Sequence, residues 1–153
     1  MRLQDIPAVG SLEQKLFPVD AWPLELFFDE FAQVETRQYL IAEADGQLIG
    51  YCGVMVLGAT ADIQTIGVLP EYEGQGIGTA MLTSMLDEAR RRGATETLLE
   101  VREDNPRART LYERFGFAHI HTRRGYYRDG VSAYVMRLIF DSSHAAKGDH
   151  EPV

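Results

Sequence analysis

Residues 65 to 92 read TIGVLPEYEGQGIGTAMLTSMLDEARRR, and this stretch decides the fold that we predict. Thr65 to Val68 is a short apolar run that must end before Pro70, because proline has no N–H group to donate to a sheet. From Ile77 onward, apolar residues recur at helical spacing until Gly93, which is typical of a helix C-terminal cap. Between strand and helix lie three alternating glycines, Gly74, Gly76 and Gly78. The stretch therefore predicts a strand, a glycine-rich turn and a helix.

The predicted turn is suited to holding an anion such as a phosphate. The first N–H groups of a helix have no partner within the helix, and the helix dipole places positive charge there. A Walker phosphate loop would need Gly-Lys followed by Ser or Thr, whereas this helix opens with GIGT. A dinucleotide-binding turn is only weakly supported, since the strands before the turn are predicted to be antiparallel. A glycine-rich turn without any ligand stays open as an alternative.

The turn resembles the acyl-CoA pyrophosphate loop of the GNAT N-acetyltransferases. The signature of that loop is Gln or Arg, two residues, Gly, one residue, and then Gly or Ala. Gly76 and Gly78 fit the glycine pair, which puts Glu73 at the Gln/Arg position. A second register, from Gln75 to Ala80, satisfies the formula literally, but we prefer the first because it keeps Gly76 at the start of the helix. The resemblance implies acetyl-CoA as the acyl donor, bound by Ile66, Gly67, Val68, Gly74, Gln75, Gly76, Ile77, Gly78, Thr79 and Asn105.

A second stretch narrows the family. Residues 98 to 117 read LLEVREDNPRARTLYERFGF. They resemble the bacterial ribosomal-protein-alanine N-acetyltransferases, which carry Leu-Glu-Val-Arg, an Asn, Leu-Tyr-Glu and Gly-Phe at this spacing. The resemblance runs from about Asp5 to Phe140. It implies that Glu100 is the general base, that Tyr112 is the general acid and that Asn105 contacts CoA.

Each of these residue types suits its implied role, and each has a plain structural alternative. An α-amine has a pKa of about 7.7 to 8.0, so a carboxylate must take up a proton before the nitrogen attacks a thioester. Glu100 follows an apolar run, and we expect desolvation there to raise its proton affinity; the alternative is a strand-end glutamate facing solvent. Tyr112 lies on the apolar face of its predicted helix, so it is both a core aromatic and a candidate acid. Asn105 is equally well placed to be a helix N-cap.

The resemblance also implies how the two substrates are held. Ile66 to Val68 would pair with the pantetheine arm as if that arm were an added strand, and the alternative is an ordinary buried strand. The acceptor would lie between aromatic residues of two loops, namely Phe17, Trp22, Tyr126 and Tyr127. Ordinary packing explains these aromatics about equally well.

The rest of the chain predicts a mixed α/β sheet with flanking helices, in which the first edge strand of the family is short or missing. Helical spacing predicts helices over Ile6–Phe17 and Leu24–Ala32. Asp45-Gly46 predicts a hairpin turn between two strands. We predict one acetyltransferase domain over residues 1–140 and a disordered polar tail over residues 141–153.

Composition limits the partners and the compartment. The chain has 153 residues with 23 acidic and 15 basic side chains, for a net charge of −8. This charge argues against direct nucleic-acid binding and favours a basic peptide or an amine. Cys52 is the single cysteine, and neither a signal peptide nor a membrane-spanning run is found, so we expect a cytoplasmic protein. We also expect no metal, because the histidines lack ligand spacing, and a monomer or weak homodimer.

These inferences predict an acetyl-CoA-dependent N-acetyltransferase that acts directly, without a covalent enzyme intermediate. The predicted acceptor is the α-amino group of a protein N-terminus, most simply that of a ribosomal protein beginning with alanine. Two alternatives stay open. The acceptor would be a small amine or a lysine side chain in the first, and the chain would be a non-catalytic CoA-binding subunit in the second.

Overall fold

The structure is a computed structural model, and it describes residues 1–141. A short 3₁₀ turn at Leu3–Asp5 opens the chain. The helices are α1 (Ile6–Leu16), α2 (Leu24–Phe31), α3 (Ile77–Arg91) and α4 (Pro106–Arg114), with a second 3₁₀ turn at Pro70–Tyr72. The strands are β1 (Arg37–Ala44), β2 (Gln47–Leu57), β3 (Thr60–Val68), β4 (Glu96–Arg102), β5 (Ala118–Arg123) and β6 (Ala133–Ile139).

The six strands form one mixed sheet in the order β1-β2-β3-β4-β6-β5. All neighbours are antiparallel except β3 and β4, which are parallel. Within residues 1–141, the first strand follows two helices. The expectation that the first edge strand is short or missing is therefore confirmed for these residues. The predicted fold class, a mixed sheet with flanking helices, is confirmed as well.

Helices cover both faces of this sheet, because the side chains of a strand alternate between its faces. On β2, Ile49 and Tyr51 belong to a buried cluster with α1 and α2. Cys52 and Val54 belong to a second cluster with α3, which buries Met81, Leu82, Met85, Leu86 and Ala89. Each large apolar side chain buried in this way contributes about 1.5 to 3 kcal/mol relative to an exposed one.

The parallel pair separates early, and this separation positions the candidate site. Pairing of β3 with β4 covers only Thr60–Asp62 and Glu96–Leu98. Beyond that point β3 continues to Val68 and β4 to Arg102. Within residues 1–141, the β4-facing edge of β3 therefore has no strand partner after Asp62, and a cleft opens in the middle of the sheet.

Local signals in the sequence are found at the predicted positions. The hairpin turn has positive φ at Asp45 (52°) and Gly46 (75°), as its sequence requires. The register of β2 with β3 shifts between Gly53 and Val54. Packing against Tyr39 requires glycine at position 53, since a Cβ at Gly53 would lie 2.1 Å from the Tyr39 ring.

Some predictions are not tested by the described residues. The predicted boundary of the domain at residue 140 stays a prediction, and the predicted tail falls, after Asp141, outside the described range. Over residues 1–141, no helix has both the length and the apolar character needed to cross a bilayer.

Candidate active site

The glycine-rich turn ends in an open helix N-terminus. Gly74 and Gly76 have φ of 79° and 83°, which only glycine adopts readily. Gly76 is the N-cap of α3, and no side chain caps the helix there. The first N–H groups of α3 are therefore available to a ligand, which agrees with the first of the two motif registers.

This helix N-terminus forms one wall of a cavity of about 470 Å³. We call it the larger cavity, to distinguish it from a smaller one beside it. Its other walls are β3, the end of α1 and one face of α4. Nine of the ten predicted cofactor-binding residues line it: Ile66, Gly67, Val68, Gly74, Gly76, Ile77, Gly78, Thr79 and Asn105. The tenth, Gln75, is exposed and is not among the residues that line the cavity.

Glu73, the acid at the Gln/Arg motif position, lines the larger cavity with a cation beside it. Its Oε2 lies 2.6 Å from Nε of Arg107, the second residue of α4. The Arg107 side chain is 66% exposed and lines the same cavity, as does Arg114. Two arginines of α4 therefore line this cavity, one of them paired with Glu73, which the motif alone did not predict.

The glycine in β3 is required by packing. A Cβ at Gly67 would lie 2.9 Å from Cδ1 of Leu16 and 2.9 Å from Oη of Tyr51. The groups that closely approach the backbone at Gly67 are therefore these two side chains. Ile66 and Val68 line the larger cavity beside it.

A second, smaller cavity of about 190 Å³ adjoins the first. The two cavities share five lining residues: Phe17, Ile66, Asn105, Ala108 and Tyr112. The smaller cavity is lined by Trp22 and Tyr127, two predicted acceptor residues, and by Glu100, the predicted base. Groups bound in the two cavities would therefore meet beside Tyr112.

Tyr112 lies in the wall between the cavities with its ring buried. The residue is 5% exposed and its ring packs edge-on against Phe117, with 6.0 Å between ring centroids. Burial raises the pKa of Tyr112, so its hydroxyl stays protonated at neutral pH. Among residues 1–141, no hydrogen bond is found for this hydroxyl, which leaves it free to donate to a bound group. Asn105 caps α4, as its alternative interpretation predicted, by accepting a hydrogen bond of 3.2 Å from the Ala108 N–H.

Glu100 is only partly buried and has two partners on β5 and the loop after it. Its Oε2 lies 2.6 Å from Nε of Arg123, and its Oε1 accepts a hydrogen bond of 3.3 Å from the Tyr126 hydroxyl. The predicted desolvation of Glu100 is wrong, because the apolar neighbours Leu99 and Val101 face the other side of the strand while the Glu100 side chain is 35% exposed. Tyr126 is not among the cavity-lining residues, yet its contact places it beside the candidate base.

The smaller cavity also contains a buried carboxylate that was not predicted from the sequence. Glu13 of α1 is 3% exposed and accepts hydrogen bonds from the Tyr51 hydroxyl and, at 3.0 Å, from the Trp22 N–H. Burial raises the pKa of Glu13 above its ordinary value. A signal existed, because Glu13 stands four residues after Val9 on the buried stripe of α1. Asp20 and Arg102 also line this cavity and were also missed.

Fold and site together define an acyltransferase of the mixed α/β class, and comparison with known proteins identifies its family. The profile of the "Acetyltransferase (GNAT) family" matches residues 6–117, so the chain belongs to that family. An "N-alpha-acetyltransferase RimI" of Mycobacterium tuberculosis is 41% identical over 139 residues, covering 87% of this chain and 85% of the relative. The Escherichia coli "[Ribosomal protein bS18]-alanine N-acetyltransferase" is 34% identical over 141 residues, covering 88% and 90%.

A solved structure agrees with these sequence relatives. The crystal structure of the ribosomal-protein-S18-alanine N-acetyltransferase from Escherichia coli superimposes with a TM-score of 0.81 at 32% identity, covering 91% of this chain and 90% of that one. The predicted family, fold and N-acetyltransferase class of enzyme are thus confirmed. GNAT acetyltransferases use acetyl-CoA, which agrees with the predicted donor at the coarser level of the family.

Proposed function

We propose that this chain transfers an acetyl group from acetyl-CoA to the α-amino group of a ribosomal protein that begins with alanine. The observation that carries the proposal is the meeting of two cavities at Tyr112, one lined by the glycine-rich turn and the other by Glu100. The activities named for the relatives support this choice of acceptor. A ribosomal acceptor would place the reaction in the cytoplasm.

The larger cavity fits acetyl-CoA in shape and in charge. The open N-terminus of α3 provides amide donors and a positive dipole for the pyrophosphate, and Arg114 adds a cation, while Arg107 is paired with Glu73. The unpaired edge of β3 at Ile66 to Val68 offers backbone groups to the pantetheine arm. Apolar side chains such as Leu111 and Ala108 complete the wall toward Tyr112.

The proposed chemistry is a direct transfer in which each proton has a named destination. Glu100 accepts a proton from the α-ammonium of the acceptor, directly or through a water molecule. The freed amine nitrogen attacks the thioester carbonyl carbon, an N–C bond forms, the C–S bond breaks, and the nitrogen releases its second proton to solvent. The Tyr112 hydroxyl gives its proton to the departing thiolate and recovers a proton from solvent. Because its pKa is raised, the Tyr112 hydroxyl is protonated at neutral pH, so a proton is present at this position when the thiolate departs.

A set of matched acceptors tests the proposal. The purified chain is mixed with acetyl-CoA and an alanine-starting peptide that contains one lysine, the same peptide with a blocked N-terminus, or a polyamine. We expect thiol release and addition of one acetyl group only with the free N-terminus. Release with the blocked peptide would identify a lysine acetyltransferase, release with the polyamine a small-amine enzyme, and binding without release a CoA-binding subunit. Any of these three results contradicts the proposal.

A further inference from the structure

Arg102 is a charged residue of the smaller cavity that the proposed chemistry does not use. It stands two positions after Glu100 on β4, so both side chains are on the same face of the strand. The side chain is 19% exposed, which is low for an arginine at the end of a strand. Its guanidinium lies 4.9 Å from the ring centroid of Tyr127, another residue of this cavity.

The guanidinium of Arg102 contacts three acids from three separate segments. Nη1 donates to Asp20 at 2.6 Å, in the loop between α1 and α2. Nη2 donates to Asp129 at 2.5 Å, in the loop between β5 and β6. Nε and Nη2 donate to Asp104 at 2.9 and 3.1 Å, in the turn that follows β4. We call Arg102, Asp20, Asp104 and Asp129 the Arg102 cluster.

The Arg102 cluster joins the two loops that carry the predicted acceptor residues. Phe17 and Trp22 stand at the ends of the first loop, and Tyr126 and Tyr127 stand in the second. These loops are far apart in sequence, yet both reach the same side chain at the end of β4. Only the planar guanidinium has enough fixed donors to reach all three acids, since a lysine presents one compact charge.

We propose that Arg102 is a positioning residue that sets the width of the smaller cavity by holding these two loops together, and that it thereby governs acceptor binding. This inference deepens the proposed function and rests on it for the nature of the acceptor. The donor would be bound by α3, β3 and α4, whereas the hydrogen bonds of the Arg102 guanidinium go to Asp20, Asp104 and Asp129. We therefore expect donor affinity to be independent of the Arg102 side chain. Isolated surface ion pairs contribute little, but this cluster is a partly buried network with several charge-assisted hydrogen bonds.

The first test measures the loop itself and needs no substrate. Trp22 is the single tryptophan of the chain and lies in the first loop, so its fluorescence reports on that loop alone. We expect acrylamide to quench Trp22 about twofold more efficiently in Arg102→Gln than in the parent, because the loop is released. Arg90→Gln is the matched control, since it removes a helix arginine whose partner is Asp87. Unchanged quenching in Arg102→Gln would overturn the proposal.

The second test separates acceptor binding from donor binding. We expect Arg102→Gln to raise KM for the alanine-starting peptide about tenfold while the Kd for acetyl-CoA stays within about twofold. Arg102→Lys should have nearly the same raised KM, because lysine keeps the positive charge but lacks the planar, multi-donor guanidinium. Asp20→Asn and Asp129→Asn should each raise KM, with less than additive effects when combined with Arg102→Gln.

Two results would contradict the role of Arg102. Equal losses in acetyl-CoA affinity and acceptor KM would indicate a general structural defect, and full rescue by Arg102→Lys would show that only charge matters. Failure of the proposed function can be distinguished from failure of this inference. If the proposed function is wrong, the parent chain does not acetylate the peptide, but the quenching experiment still reports on the loop.

Discussion

The carboxylate of Glu73 is paired with the guanidinium of Arg107, with 2.6 Å between Oε2 and Nε. Glu73 follows the 3₁₀ turn before the glycines, and Arg107 lies in the first turn of α4, so the pair joins two walls of the larger cavity. The acid at the motif position therefore does not face the cavity as a lone negative charge. It also holds an arginine that would otherwise be free to reach a bound phosphate.

We predict that Glu73→Gln tightens acetyl-CoA binding. The change removes a repulsion of about 1 kcal/mol in water and releases Arg107, so affinity should rise roughly fivefold at low salt and less at high salt. Calorimetry at two ionic strengths measures both effects. Arg107→Gln is the opposite control and should weaken binding. Equal affinity in Glu73→Gln and parent at low salt would show that neither side chain reaches the phosphates.

We predict that Glu100→Gln lowers kcat by about a hundredfold and leaves the Kd for acetyl-CoA nearly unchanged. Glu100 lines only the smaller cavity, so the amide should remove a proton acceptor without disturbing the donor. Single-turnover rates and calorimetry together check the result. A loss explained by weaker acetyl-CoA binding would contradict the assignment of the base.

Tyr112→Phe should keep the fold and slow the reaction by about tenfold or more. The ring still packs against Phe117, and the missing hydroxyl has no hydrogen-bond partner in the described residues to lose. Matched thermal melts and rates across a pH series provide the measurement, with Phe115→Leu as a variant that perturbs the same helix. Parent-like rates at every pH would reduce Tyr112 to a packing residue.

Glu13 should make stability depend on pH in a direction that its burial determines. Its folded pKa is raised above the ordinary 4.5, so the folded chain holds this proton more tightly than the unfolded chain. The resulting stability is complete below about pH 4.5 and is lost as the pH rises through the raised value.

The unfolding free energy of the parent should therefore fall, relative to Glu13→Gln, as the pH rises above about 4.5. Urea unfolding of both proteins over a pH series measures this difference, and the exposed Glu25→Gln is the control. A difference between parent and Glu13→Gln that stays constant with pH would show that Glu13 does not titrate differently on folding.

Most of the fold was accessible from sequence because its signals are local. The Asp45-Gly46 turn and the glycines before α3 each determine backbone geometry within a few residues. Glu100 and Tyr112, the two residues that the motif selected, both line the smaller cavity. These features need no knowledge of which distant segments meet.

The unpredicted features depend on long-range contacts. Arg102 gains its role from Asp20 and Asp129, which lie in distant loops, and no periodicity marks such a set. The desolvation predicted for Glu100 was wrong because strand alternation turns that side chain away from its apolar neighbours toward Arg123. Neighbours in sequence are a poor guide to the surroundings of a strand residue.

The early separation of β3 from β4 places an unpaired strand edge inside a sheet, where proteins seldom leave one. Exposed edges invite pairing with other chains and lead to aggregation. Here α1 and α4 flank the edge, and the cavity left between them has a volume of about 470 Å³. This volume is enough for a slender extended molecule but too small for a second sheet. The flanking helices thus leave room for a thin ligand and keep a strand of another chain from pairing with this edge. Filling it should raise the melting temperature in proportion to the logarithm of ligand concentration.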